Sequence, residues 1–170
     1  PRPGEIFSNP NLAATFRRLA DGGPDAFYQG PIAESIVRVI RDAGGLMDLD
    51  DLASHRTDWV EPISTSYHGY RVWECPPNGQ GLAALLALNI LEQFDLSNHP
   101  RLSTARLHVM IEAMRLAFAD TRWYAADPEF SYIPLEALLS KEHAAQRARL
   151  IDETRATLDQ KRGTPTSDSD

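Results

Sequence analysis

Most of the residues that would mark a metal, phosphate or nucleic-acid protein are missing from this sequence. It has a single cysteine, Cys75, in 170 residues. No internal disulfide can form, and the thiolate pairs of a structural zinc site cannot be assembled. That cysteine indicates neither an oxidising nor a reducing compartment, and is expected as a small buried residue near a strand end. The five histidines, His55, His68, His99, His108 and His143, show no H-x-H, H-x-x-x-H or HExxH pairing, so no metal is expected. His108 stands four residues before Glu112, where a local helical pair would account for it. His68 is expected in a turn.

Clustered basic charge is also lacking. The formal net charge is -7 and no run of Lys or Arg occurs, which argues against a nucleic-acid partner. No apolar run reaches the length of a membrane span. Neither a G-x-S-x-G elbow nor a P-loop is present, nor is any internal repeat. The string Gly79-Gln80-Gly81-Leu82-Ala83-Ala84 imitates a dinucleotide-binding turn. Two prolines precede it, however, the strand before it alternates in polarity, and no acidic strand end follows at the required distance. It is expected to be a turn that lets a helix pack closely, and no cofactor is assigned. The opening Pro1-Arg2-Pro3, without Met or leader, suggests a processed fragment.

What is present is apolar periodicity, at 42% hydrophobic content. Leu12, Phe16 and Leu19 follow Asn9-Pro10 at helical spacing as far as Gly22-Gly23, and Ile32, Ile36 and Ile40 form a second stripe between Pro31 and Gly44-Gly45. Asp48 caps a short turn that runs to His55. The period then becomes two. Ile63, Thr65 and Tyr67 alternate with serines, His68-Gly69 supplies a turn, and Tyr70, Val72 and Glu74 alternate with Arg71 and Trp73, predicting an antiparallel hairpin. Leu82 to Phe94 is apolar on nearly every side and requires a buried, central position. At about 13 residues it is short of the roughly 20 needed to cross a bilayer.

Ser103 opens the longest helix, with Leu107, Ile111, Met114 and Phe118 as its apolar stripe and Asp127-Pro128 as its end. Asp120 and Asp127 are conceivable as an acid pair for glycoside chemistry. The structural alternative has Asp127 at a helix end, with Asp120 and Arg122 tying down neighbouring loops. Trp59, Trp73 and Trp123 are spread over different elements and are expected as core or rim aromatics. Pro134 to about Lys161 is expected to be helical and more polar. Residues 162–170 are a polar tail with almost nothing to bury. The fold class is therefore α+β, mostly helical, with one β-hairpin.

No catalytic constellation emerges, but the order of segments resembles a known family. Leu12-Ala-Ala-Thr-Phe16, Gly22-Gly-Pro-Asp-Ala-Phe-Tyr-Gln-Gly-Pro-Ile-Ala33 and Ala43-Gly-Gly-Leu-Met-Asp-Leu-Asp-Asp-Leu-Ala53 resemble the large subunit of gamma-glutamyltransferases. So do Glu61-Pro62, Tyr67-His-Gly-Tyr70, Pro76-Pro77 with Gln80-Gly81, Leu88-Asn-Ile-Leu91, Glu112-Ala-Met-Arg-Leu-Ala-Phe-Ala-Asp120 and Asp127-Pro-Glu-Phe130. The resemblance spans about Asn9 to Ile151.

It implies a portion of an N-terminal-nucleophile hydrolase with an αββα sandwich, made as a precursor that cuts itself and exposes a nucleophilic threonine. Residues 1–161 would be a helical portion of the large subunit and 162–170 the tail leading to the processing boundary, expected at Asp170. The implied partners are the rest of the large subunit, the small catalytic subunit and a small-molecule amide substrate. No catalytic residue carries over to this sequence. Cys75-Pro-Pro-Asn-Gly-Gln-Gly81 departs from the Pro-Pro-Pro-Ser-Ser-Gly-Gly-like run of members acting on glutathione and resembles acylase or amidohydrolase relatives. The rival expectation is a non-catalytic helical interaction module. If the fragment reading holds, the helix from Leu82 to Phe94 is expected to lack cover within this chain.

Overall fold

The computed structural model describes residues 1–165, and these divide between two compact units, Pro1–Asp58 and Trp59–Asp170. Asp170 and the rest of 166–170 lie outside the described residues.

The first unit holds helices α1 (Pro10–Gly22), α2 (Asp25–Tyr28), α3 (Pro31–Asp42) and α4 (Leu49–Ala53). Their ends follow local chemistry. The Asn9 side chain accepts the Leu12 amide at 3.0 Å, and Asp48 and Asp51 exchange reciprocal bonds as a capping box. The apolar stripes have the predicted positions but bury little: Ala33 is the only buried residue of this unit among the described residues, and Leu12, Phe16 and Val39 are exposed. Tyr28 and His55 stack at 4.7 Å between ring centroids.

The second unit is built on a hairpin, β1 (Ile63–Tyr67) and β2 (Tyr70–Glu74), paired Thr65 to Val72 and Tyr67 to Tyr70. His68 and Gly69 both have positive φ, 47° and 83°, as a two-residue turn with right-handed strand twist demands. A two-stranded sheet is marginal alone, and side chains from the following helices hold this one. Buried Thr65 donates to Asn89 Oδ1 at 2.5 Å, Asn89 Nδ2 donates to the Leu139 carbonyl, and Lys141 Nζ reaches Ser66 O, Asn89 Oδ1 and Glu92 Oε2. The Lys141 hydrogen bond and the His68 amide lower the pKa of Glu92 below its ordinary 4.5.

Helix α5 (Gly81–Leu91) lies against α6 (Thr104–Tyr124), with α7 (Leu135–Leu139) and α8 (Lys141–Ala148) completing the core. The expectation that α5 would lack cover, set as the mark of a fragment, is overturned, and α5 lends the fragment reading no support. Leu82, Leu85, Leu86 and Ile90 are at most 2% exposed, because α6, α7, α8 and the hairpin all pack on it. Its entry turn is tight: a Cβ on Gly81 would come within 2.7 Å of Glu74 Cβ, the close helix packing expected of the Gly-Gln-Gly string.

Uncovered apolar side chains are found on α6 instead, among other places. The buried face of that helix is Val109, Glu112, Ala113, Leu116, Ala117, Asp120 and Thr121. Leu107, Ile111 and Met114, expected inward, are 40%, 58% and 40% exposed. Ala113 and Ala117 explain the choice, since small residues let α6 approach the leucine-rich α5.

Two further expectations are corrected, and a third, that the tryptophans are core or rim aromatics, is narrowed to the rim. The helix from Pro134 does not continue to Lys161: Ser140 ends α7 and caps α8, and after Ala148 no helix remains among the described residues. Cys75 is exposed, because it stands where the chain leaves the hairpin before Pro76. Trp59, Trp73 and Trp123 are 100%, 56% and 61% exposed, so none is a core aromatic.

Candidate functional site

Two buried carboxylates on α6 organise the polar part of the second unit. Glu112 is 1% and Asp120 0% exposed. They stand about 12 Å apart along the helix at 1.5 Å per residue. Opposite them runs a strap, residues 149–165, without helix or ladder of its own apart from an isolated Asp152 to Arg155 bridge. Backbone without a regular partner needs other groups to satisfy it when buried, and α6 and α8 provide them.

Glu112 accepts from Arg115 Nη1 at 2.5 Å, from the Thr157 amide at 3.3 Å and from Gln160 Nε2 at 2.8 Å. Arg115 also donates to the Leu158 carbonyl at 3.2 Å. Burial is the strongest single influence on the Glu112 carboxyl and alone would raise its pKa. The bonds from Arg115, Thr157 and Gln160 together outweigh it and hold the group below the ordinary 4.5. A carboxyl with a lowered folded-state pKa contributes stability that is present above its unfolded value and is lost as pH falls through the folded one. Glu112→Gln is therefore expected to lower the urea midpoint of the full-length protein at pH 7, with the gap to wild type closing below pH 4.5. A gap that widened on acidification would contradict the sign.

Asp120 is enclosed more fully. His143 Nε2 donates to Oδ2 at 3.0 Å, Arg147 Nε lies 3.0 Å from the same oxygen, and the Gly163 amide donates to Oδ1 at 2.5 Å. His143 and Arg147 are themselves 2% and 4% exposed. With Nε2 donating, His143 Nδ1 has no partner among the described residues. Arg147 Nη2 extends to the Lys161 carbonyl at 2.6 Å, and Tyr124 OH donates to the Gly163 carbonyl at 3.0 Å. Gly163 is needed here for room, since a Cβ on it would sit 2.6 Å from His143 Cε1 and 2.9 Å from Arg147 Cδ.

Residues 162 and 163, expected in a loose tail, are thus tied to the body, and the Arg162 guanidinium lies 3.7 Å over the Trp123 ring. An open cleft of about 850 Å³ runs between α6 and the strap beside Arg115, Phe118 and Trp123. Its cations are largely engaged: Arg115 on Glu112, Lys161 on Asp159, Arg122 over Phe118 and Arg162 over Trp123.

The expected loop-tying role of Asp120 is seen, through Gly163, but Arg122 takes no part in it. Asp127 is exposed and accepts the Glu129 amide in its own turn at 3.0 Å, whereas Asp120 is enclosed with both oxygens engaged, so the two do not face a common cleft as an acid pair would. His108 does not pair with Glu112; its Nε2 donates to the Asp152 carbonyl at 2.8 Å. His143, Arg147, Gln160 and Gly163 were not singled out by sequence. The available signal was two acids, Glu112 and Asp120, interleaved with Ala113, Leu116 and Ala117 on one helical face, where an acid survives only with partners.

A profile of the gamma-glutamyltranspeptidase family matches residues 1–169. The glutathione hydrolase-like YwrD proenzyme of Bacillus subtilis is 42% identical over 151 residues, covering 89% of this chain and 29% of that protein. The glutathione hydrolase proenzyme of Escherichia coli is 37% identical over 156 residues, covering 91% and 27%. Among solved structures, the cephalosporin acylase from Bacillus halodurans superposes with a TM-score of 0.75 at 43% identity, over 98% of this chain and 30% of that one. The chain therefore spans less than a third of the length of these relatives.

Proposed function

The chain belongs to the gamma-glutamyltranspeptidase family, and on that premise we propose that it is the scaffolding portion of a self-processed amidohydrolase or acyltransferase whose nucleophile lies elsewhere in the protein. The observation that carries the reading is the family match over 1–169 by a chain that spans 27–30% of its relatives. In the complete protein its helices would cover the αββα sandwich, and the strap would lead toward the processing point. The partners are then the rest of the large subunit and the small subunit.

The chemistry follows from an N-terminal threonine. Its hydroxyl attacks an amide carbonyl while its own α-amine, with an ordinary pKa of about 8, takes the proton. Oxyanion donors hold the tetrahedral intermediate. The amine leaves with the proton, and the acyl-enzyme passes its acyl group to water or to a second amine. Relatives named as glutathione hydrolase and cephalosporin acylase put gamma-glutamyl amides and acylated β-lactams first among substrates. Asn78-Gly-Gln-Gly81, in place of a Ser-Ser-Gly-Gly-like run, favours the acylase side.

The test uses the full-length precursor. Intact-mass analysis is expected to give two subunits, and replacing the threonine found at the N-terminus of the smaller one with Ala should leave one uncut polypeptide without amidase activity. A wild-type precursor that stays uncut, or normal cutting of the Ala variant, would remove the reading. Assays with gamma-glutamyl amides and acylated β-lactams then separate the two substrate classes.

A further inference from the structure

We propose that the outer edge of β2 is a strand-addition seam: an extended segment of the rest of this polypeptide pairs with Arg71 and Trp73 and makes the hairpin part of a larger sheet. This rests on the part of the reading above that places the chain in a longer protein, and on none of the self-cleavage chemistry.

The register decides which backbone groups are free. In a hairpin closed by a two-residue turn, the flanking pair, here Tyr67 and Tyr70, exchanges both backbone bonds, and the pairs then alternate. Thr65 with Val72 and Ile63 with Glu74 are therefore bonded pairs. Ser66 with Arg71 and Ser64 with Trp73 are not, and their amides and carbonyls point away from the partner strand. Each strand thus presents two residues to its outer side.

The two edges differ in what meets them. On β1, Lys141 Nζ donates to the Ser66 carbonyl at 2.8 Å, and Leu135, Leu139 and Lys141 line a groove beside Ile63 and Ser64. The ties from Asn89, Lys141 and Glu92 all go to β1 and the turn. On β2, neither the amide nor the carbonyl of Arg71 or Trp73 has a partner among the described residues. Tyr70 and Trp73 are 77% and 56% exposed.

A free edge is ordinarily blunted by proline, a bulge or a charge held over it. β2, Tyr-Arg-Val-Trp-Glu, has no proline and no bulge, since its five residues pair one for one with β1. Its charges are turned elsewhere. Arg71 Nη1 donates to Ser64 Oγ at 3.3 Å, across the hairpin, and its guanidinium carbon lies 5.8 Å from the centre of the Trp73 ring. Glu74 turns toward Gly81, where a Cβ would come within 2.9 Å of its Oε2. What remains on β2 is a regular, aromatic, unguarded template of the kind that an added strand completes.

The occupant is assigned to the same polypeptide because this chain spans only 27–30% of its relatives' length. A segment on the same chain meets the edge at an effective concentration of about millimolar, which a second copy reaches only in a concentrated solution.

Hydrogen exchange in the full-length protein, resolved to single residues by fragmentation mass spectrometry, reads the edge without a substitution. The Arg71 and Trp73 amides are expected to exchange on the order of 1000-fold or more slowly than in an unstructured chain, and more slowly than the Ser64 and Ser66 amides on the closed edge. Spacing tells a strand from a mere cover. In the full-length variants Arg71→benzoylphenylalanine and Trp73→benzoylphenylalanine, irradiation is expected to capture residues two apart in one segment outside 1–170.

Free exchange at Arg71 and Trp73, equal protection of both edges, failure to capture such a segment, or crosslinks that join two copies would each overturn the proposal. If the variants do not fold, exchange in the wild type decides. Intact mass of the same samples reports cutting separately. An uncut protein with Arg71 and Trp73 protected would remove the self-processing reading and leave the seam standing, and a cut protein with both amides exchanging freely would do the reverse.

Discussion

Asp120→Ala in the full-length protein is expected to lower stability by about 3–5 kcal/mol, the range for removing one partner of a buried charge pair. The cost is not the sum of the bonds removed. Arg147, 4% exposed, would remain buried and charged without its carboxylate, and the Gly163 amide would lose its acceptor. Pairing the change with its partner tests the cause. Asp120→Leu combined with Arg147→Met removes both charges at similar volume, so the double variant should be less destabilised than Arg147→Met and Asp120→Leu added together. Chemical denaturation of the four proteins gives the coupling. Additive losses, or an Asp120→Ala cost below about 1 kcal/mol, would show that the buried pair does not hold this end of α6.

The elements legible in the sequence are those whose causes are local. Asn9-Pro10 and Asp48 cap their helices through bonds three residues long, and His68-Gly69 dictates its turn by φ alone. Neither depends on a distant partner. The buried face of α6 could not be read in this way. Two apolar stripes compete on that helix, one of large residues and one of small residues with two acids, and only the close approach of α5 decides between them. The helix expected from Pro134 failed for the same reason. Residues after Ala148 have helical composition, yet their backbone is claimed by Glu112, Arg115 and Asp120, some 43 to 45 positions earlier. Family resemblance was carried by order of motifs, which survives even where residue partners are invisible. The candidate site was not legible, since its members are short, separate signals that only folding brings together.

Ile111→Asp in the full-length protein is expected to cost about 3 kcal/mol or more, although Ile111 is 58% exposed in the structure described here. The reasoning starts from the stripe it belongs to. Leu107, Met110, Ile111 and Met114 lie on one side of α6 at 40–58% exposure, a contiguous apolar face of a kind soluble proteins cover. The chain has 27–30% of its relatives' length, and on the function proposed above the expected occupant of the face is the remainder of the same polypeptide. A carboxylate placed there would be desolvated by that cover with no basic partner within the stripe. Ile111→Ala separates size from charge: it should lose apolar contact alone and fall between wild type and Ile111→Asp in the urea midpoint. If the face is open to solvent in the whole protein, Ile111→Asp will change stability by no more than about 0.5 kcal/mol, as at an ordinary surface position, and the assignment of the cover to the rest of the chain would be wrong.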